Sequence, residues 1–192
     1  MYPELTIEGE VVEEFGSTRV RDYILTGSDY DRKALGGHLD IKLSFDRAKT
    51  APYLLLSYIY LQGDNPDTDE NEAFDPMFRG SSDWGKWFIG TIGPSTLFNF
   101  NQKIAMVEAG MTPLKDTSLR FQYFYTVLDR EITSGGGTRW SQELDMIFSH
   151  EPDEYVTWGI ELGMARPMKA AESYTGSSRV TAEIVVFLNL TF

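Results

Sequence analysis

The chain has 192 residues, of which 42% are hydrophobic and 24% charged, so its composition excludes a disordered polypeptide. The net charge of -12 argues against nucleic-acid binding, which requires a basic surface. The chain has no cysteine, which excludes disulfides and thiolate metal sites. We expect one domain over residues 1–192 and no nucleic-acid partner.

Segments of about ten residues that alternate between apolar and polar side chains recur along the chain, as in strands with two different faces. In chain order they are two weaker segments at residues 5–15 and 19–25, followed by residues 35–45, 53–62, 102–111, 119–128, 140–149, 156–165 and 181–192. No helical period competes with them, and no run approaches the roughly 20 apolar residues of a membrane helix. The predicted fold is an all-β, antiparallel sheet of about eight strands.

The predicted connections alternate in length. Those at residues 46–52, 113–118 and 150–154 are short, whereas those at residues 63–101, 129–139 and 166–180 are longer and rich in Gly, Ser and charge. Short turns at one end and long loops at the other are typical of outer-membrane β-barrels.

The last predicted strand is apolar at every second residue and finishes on Phe192. This ending resembles the C-terminal signal of bacterial outer-membrane barrels and favours a transmembrane barrel with its apolar face toward lipid. A soluble barrel that binds an apolar ligand, with the same faces turned inward, is the alternative. Residues 1–4 contain no basic region or apolar run, so we expect no signal peptide in this sequence, although an outer-membrane protein needs one.

In the transmembrane arrangement the polar faces line the interior. The predicted pore-lining residues are Asp40, Lys42, Glu108, Arg120, Glu143, Asp145, Glu161 and Glu183, and the first strand adds Glu4, Glu8 and Glu10. Glu108 is the least clearly placed of these because Met106 shares its face. Since the set is mostly acidic, the sequence predicts an interior that prefers cations or neutral solutes.

Other chemistry finds little support in the sequence. The spacing of Asp67, Asp69 and Asn71 opens like a calcium loop, but Glu72 stands where the loop needs Gly and Phe78 where it needs its closing Glu. The histidines, His38 and His150, accompany no nucleophile motif. We expect no enzymatic activity, no cofactor and no bound metal.

Two motifs carry a resemblance to a known family. A strand that ends in Gly63-Asp64 is followed by a polar loop and by Phe74-Asp75-Pro76-Met77-Phe78, and a later strand reads Trp140-Ser141-Gln142-Glu143-Leu144-Asp145. With the terminal Phe192, these resemble the alginate-export family of outer-membrane porins. The matching motif positions are Asp64, Asp75, Glu143 and Asp145. Barrels of that family have about twice as many strands, so this chain is similar to a C-terminal half.

The resemblance implies a porin-like channel in a Gram-negative outer membrane that passes small solutes or polysaccharide. It implies contact with membrane lipid and lipopolysaccharide, and a possible partner chain that completes the barrel. The acidic interior predicted here departs from the basic lumen expected of alginate exporters. The runner-up hypothesis is a small closed barrel that serves as a membrane anchor or interaction module.

Overall fold

Alternating side chains build one large sheet in the computed structural model, which describes residues 3–21, 24–75 and 101–191. The strands are β1 (Glu4–Arg21), β2 (Ile24–Ser44), β3 (Tyr53–Leu61), β4 (Glu70–Asn71), β5 (Gln102–Met111), β6 (Thr117–Leu128), β7 (Arg139–Asp153), β8 (Val156–Pro167) and β9 (Thr181–Leu190), and α1 (Lys169–Thr175) precedes β9. The predicted all-β class is confirmed.

The strands follow one another across the sheet in the order β1-β2-β3-β5-β6-β7-β8-β9, and every neighbouring pair is antiparallel. The short β4 lies off this path and pairs in parallel with β2. Within the described ranges no backbone pairing joins β1 to β9, so the sheet is not closed there. The antiparallel sheet is therefore confirmed, and closure into a barrel stays a prediction.

β5 matches its predicted range, and β3 ends one residue early. The separate strand predicted at residues 19–25 is wrong. β1 continues to Arg21 and β2 begins at Ile24, because these two strands pair with each other well past the point where β3 stops. The predicted motif positions Pro76, Met77, Phe78 and Phe192 lie outside the described residues.

Apart from the two residues between β1 and β2, the connections sort by length between the two ends of the sheet. Residues 45–52, 112–116 and 154–155 make the short turns, and we call this the short-turn end. The longer connections, after β3, β6 and β8, all leave from the opposite end, which we call the long-loop end. The predicted turn at residues 150–154 is wrong in its bounds. His150 belongs to β7, where its Nδ1 lies 3.0 Å from the Thr117 hydroxyl of β6.

Helix α1 lies at the long-loop end and was not predicted. Ala170 and Ala171 are buried in a cluster with Leu128 and Trp140. A helix of seven residues spans only two turns, too few for an apolar period to stand out in the sequence. No helix in the described part of the chain has the length and apolarity to cross a bilayer.

Gly176 ends α1 in a left-handed conformation, with φ of 69°, and its N–H donates to the carbonyl of Glu172 at 2.9 Å. A side chain at such a position is strained by about 1 kcal/mol. We expect Gly176→Ala to lower the free energy of unfolding by about that amount in a denaturant titration. The exposed neighbour Ser178→Ala serves as the control and should change it by less than about 0.5 kcal/mol. Equal effects of the two substitutions would contradict the left-handed cap.

Candidate functional site

The two faces of the sheet differ in a way that is unusual for a protein surrounded by water. On one face, which we call the outer face, large apolar side chains are exposed along all eight long strands. Examples are Trp158 at 39% and Leu190 at 53% relative exposure. On the opposite, inner face the carboxylates of Glu143 and Asp145 are 4% and 1% exposed. Large apolar side chains are therefore exposed on one face of the sheet, while carboxylates are buried on the other.

All eight residues predicted to line an interior lie on the inner face. Glu108, Glu143 and Asp145 are buried, Lys42 is exposed, and the other four are half-buried: Asp40, Arg120, Glu161 and Glu183. Glu108 and Met106 share this face, which accounts for the ambiguity in the sequence. That these residues line a pore stays a prediction.

Strand register brings several of these charges into one transverse row. Across the sheet, Glu108 of β5 pairs with Gln122 of β6, which pairs with Asp145 of β7. The row continues through Gly163 of β8 to Glu183 of β9. We call it the carboxylate row. It could not be derived from sequence, because the register of five strands has to be known before residues can be aligned across them.

Neutral donors bind two of the carboxylates on the inner face, Glu108 and Asp40. The Tyr53 hydroxyl donates to Glu108 Oε1 at 2.5 Å, and the Gln122 amide donates to the other oxygen of Glu108. On the adjacent row the Ser57 hydroxyl donates to Asp40 at 2.5 Å. Tyr53 and Ser57 were missed as site residues, since each lies among the leucines of β3 and carries no charge. Hydrogen bonds of this kind stabilise a charge away from water without neutralising it.

A cavity of about 120 Å³ opens beside these groups on the inner face. Its lining residues are His38, Asp40, Leu55, Ser57, Ile59, Met106, Glu108, Arg120, Gln122 and Phe124. Side chains of β2, β3, β5 and β6 form its walls.

The inner face becomes apolar toward the long-loop end. A buried cluster there consists of Ala34, Ile59, Leu61, Phe74, Ile104 and Phe124. Only Phe74 comes from outside the long strands, since it follows β4 in the segment after β3. Apolar side chains thus interrupt the polar face that the sequence predicts for the interior. Alternation along the strands could not place Phe74 in this layer, because Phe74 lies on a connection.

The two loop positions of the family resemblance lie at the long-loop end, where Asp64 bonds within the loop and Asp75 bonds to β1. Asp64 accepts the backbone N–H of Glu72 at 2.9 Å, and the N–H of Asp75 donates to Glu14 at 3.1 Å. Among the residues that the structure describes, no group of three acidic or histidine side chains is placed to hold a metal ion. Asp64 and Asp75 therefore hold the loop in place by hydrogen bonds.

The chain matches no protein-family model and no curated protein. The resemblance to the alginate-export porins therefore stays a prediction from the motifs quoted above.

Proposed function

We propose that this chain forms all or part of a transmembrane antiparallel β-barrel in a bacterial outer membrane and acts as a porin-like channel. It would pass small solutes or polysaccharide passively, without enzymatic chemistry or a cofactor. The observation that carries the proposal is the inversion of the two faces. Exposed apolar side chains recur on the outer face of every long strand, from Leu5 on β1 to Leu190 on β9, and charged residues such as Glu13 and Lys33 join that face at the long-loop end. A binding patch for one protein partner covers a limited area, whereas lipid covers every strand.

Energetics support lipid as the surrounding solvent. Burial of a Leu or Phe side chain away from water contributes about 1.5–3 kcal/mol. Leaving residues such as Leu56, Phe121 and Leu144 about half-exposed to water on the central strands would forgo much of that energy. Contact with lipid hydrocarbon removes these side chains from water and supplies that free energy. The backbone of these strands is already paired on both sides, as a lipid-exposed segment requires.

The interior chemistry favours cations. The inner face carries six of the predicted carboxylates but only Lys42 and Arg120 as predicted cations. Carboxylates in a narrow, low-dielectric passage raise the local concentration of cations and exclude anions. Polyanionic substrates such as alginate fit this interior poorly, so the proposal favours cationic or neutral solutes.

Reversal potentials in planar bilayers test this selectivity. With a tenfold salt gradient, we expect the wild-type channel to prefer cations, and Glu108→Gln with Asp145→Asn to shift the reversal potential toward zero by about 10 mV or more. Removing two charges from the carboxylate row weakens the field that selects cations.

The matched control removes a carboxylate at the surface of a turn. Asp116→Asn, between β5 and β6, should leave the reversal potential of the wild type unchanged. Anion preference of the wild-type channel would refute the selectivity, and absence of any conductance from correctly folded protein would refute the channel.

A small closed barrel that acts as a membrane anchor or interaction module is the second candidate. The packed apolar cluster on the inner face between β2 and β6 favours it, because an eight-stranded barrel leaves little room for a passage. Conductance separates the two, since an anchor passes no current. The soluble barrel is separated from both by detergent dependence, because it would stay monodisperse in plain buffer.

A further inference from the structure

We propose that Phe74 forms an apolar constriction at the long-loop end of the interior and limits what the channel passes. This inference deepens the proposed channel function and rests on it. The observation behind it is that Phe74, on a connection between strands, is 4% exposed and packs into the apolar layer of the inner face. A connection that only decorated the rim would keep its aromatic side chain away from the interior.

Backbone bonds on both sides hold Phe74 in place. Its own N–H donates to the carbonyl of Gln62 at 2.9 Å, and Arg32 donates to the carbonyl of Ala73 at 2.9 Å. The N–H of Asp75 donates to Glu14 at 3.1 Å. Three consecutive residues are thus fixed to β1, β2 and the end of β3, so the ring is positioned by the sheet.

Gly36 on β2 makes room for the ring. A Cβ atom at this position would lie 2.5 Å from Phe74 Cε2 and 2.6 Å from Cδ2, closer than any side chain tolerates. The aromatic ring therefore lies directly on the backbone of β2. The neighbouring strands carry leucine and isoleucine side chains in this cluster. The glycine on β2 therefore provides a specific packing site for an aromatic ring that comes from a connection.

The constriction lies in series with the polar site. Gly36 and Asp40 are on the same face of β2, four residues apart, which corresponds to about 13 Å along the strand. A solute entering from the long-loop end meets Phe74, Ile59 and Ile104 before it reaches Asp40 and Glu108. Apolar constrictions hinder hydrated ions because water does not wet them. The order of the layers makes Phe74 the barrier and the carboxylates the selectivity site.

Single-channel recording of Phe74→Ala tests the inference. We expect a conductance at least about twofold higher than that of the wild type, because the variant removes the aromatic ring from the apolar layer. Phe74→Leu keeps an apolar but smaller side chain and should give an intermediate value. Phe121→Ala, the same substitution on the outer face, should match the wild type. Heat-modifiable migration in gels verifies that each variant is folded.

The outcomes separate this inference from the proposed function. If the wild type conducts and both Phe74 variants have the same conductance as the wild type, the constriction is refuted while the channel stands. If wild type and Phe74 variants are all folded and silent, the channel and the constriction both fall. A folded wild type that is silent refutes the proposed channel even where Phe74→Ala conducts, and the constriction that rests on the channel falls with it. Should Phe74→Ala fail to fold, the conductance of Phe74→Leu decides in the same way.

Discussion

Leu144→Arg is expected to lower the free energy of unfolding in lipid vesicles by about 2–4 kcal/mol, the cost of a cation at the middle of a lipid-facing strand. Leu144 is 50% exposed on the outer face of β7, where it lies opposite Tyr123 of β6 and Met164 of β8. It is therefore remote from both sheet edges. Denaturant titration of the vesicle-embedded protein, followed by tryptophan fluorescence, measures the change.

Leu114→Arg is the matched control. Leu114 is exposed in the turn between β5 and β6 at the short-turn end, so the same substitution there places the cation in water. Its effect should stay within about 0.5 kcal/mol. If Leu144→Arg is as mild as Leu114→Arg, the outer face does not meet hydrocarbon and the transmembrane proposal fails. In a protein surrounded by water, an arginine at a half-exposed position would be well tolerated.

Strand positions could be predicted because alternation is a local property. In β6, Arg120 and Gln122 share one face and Phe121 and Tyr123 the other, and pairing partners are not needed to recognise such a segment. Which of the two faces is exposed cannot be predicted from alternation. Inward and outward packing of the apolar side produce the same period, so only the exposed fractions of residues such as Phe121 and Asp145 distinguish them.

The parts that escaped prediction depend on contacts between distant residues. The position of Phe74 is set by Arg32 and Glu14, which lie 41 or more residues earlier in the chain. The continuation of β1 and β2 past the end of β3 requires only that each pairs with the other, which no apolar pattern reveals. Helix α1 depends on docking to Trp140. In all three cases tertiary contacts select the local structure.

Arg32→Ala is expected to lower the free energy of unfolding by about 1–3 kcal/mol, because it leaves the half-buried charge of Glu14 without its cation. The guanidinium donates from Nε to Glu14 Oε2 at 2.9 Å, and the two side chains are only 15% and 10% exposed. The N–H of Asp75 still donates to Glu14 in the variant, which limits the loss. Denaturant titration in vesicles gives the value.

A double-mutant cycle separates the ion pair from the packing. Arg32→Met with Glu14→Leu removes both charges and keeps apolar volume, so it should recover most of the loss. Lys115→Ala is the control: Lys115 Nζ lies 3.5 Å from Asp116 Oδ2, but its side chain is 93% exposed, and loss of such a surface pair costs at most about 1 kcal/mol. Equal losses for Arg32→Ala and Lys115→Ala would contradict a half-buried pair.

Arg32→Ala affects both the stability of the fold and the proposed constriction at Phe74. Arg32 also donates to the carbonyl of Ala73, so its removal releases the backbone next to Phe74 as well as the Glu14 charge. We therefore expect Arg32→Ala to raise single-channel conductance in the direction of Phe74→Ala. The double variant, which restores stability without restoring the bond to Ala73, should keep the raised conductance. Recovery of stability and wild-type conductance together would mean that the ring is held by its packing against Gly36 and the apolar layer, and not by Arg32.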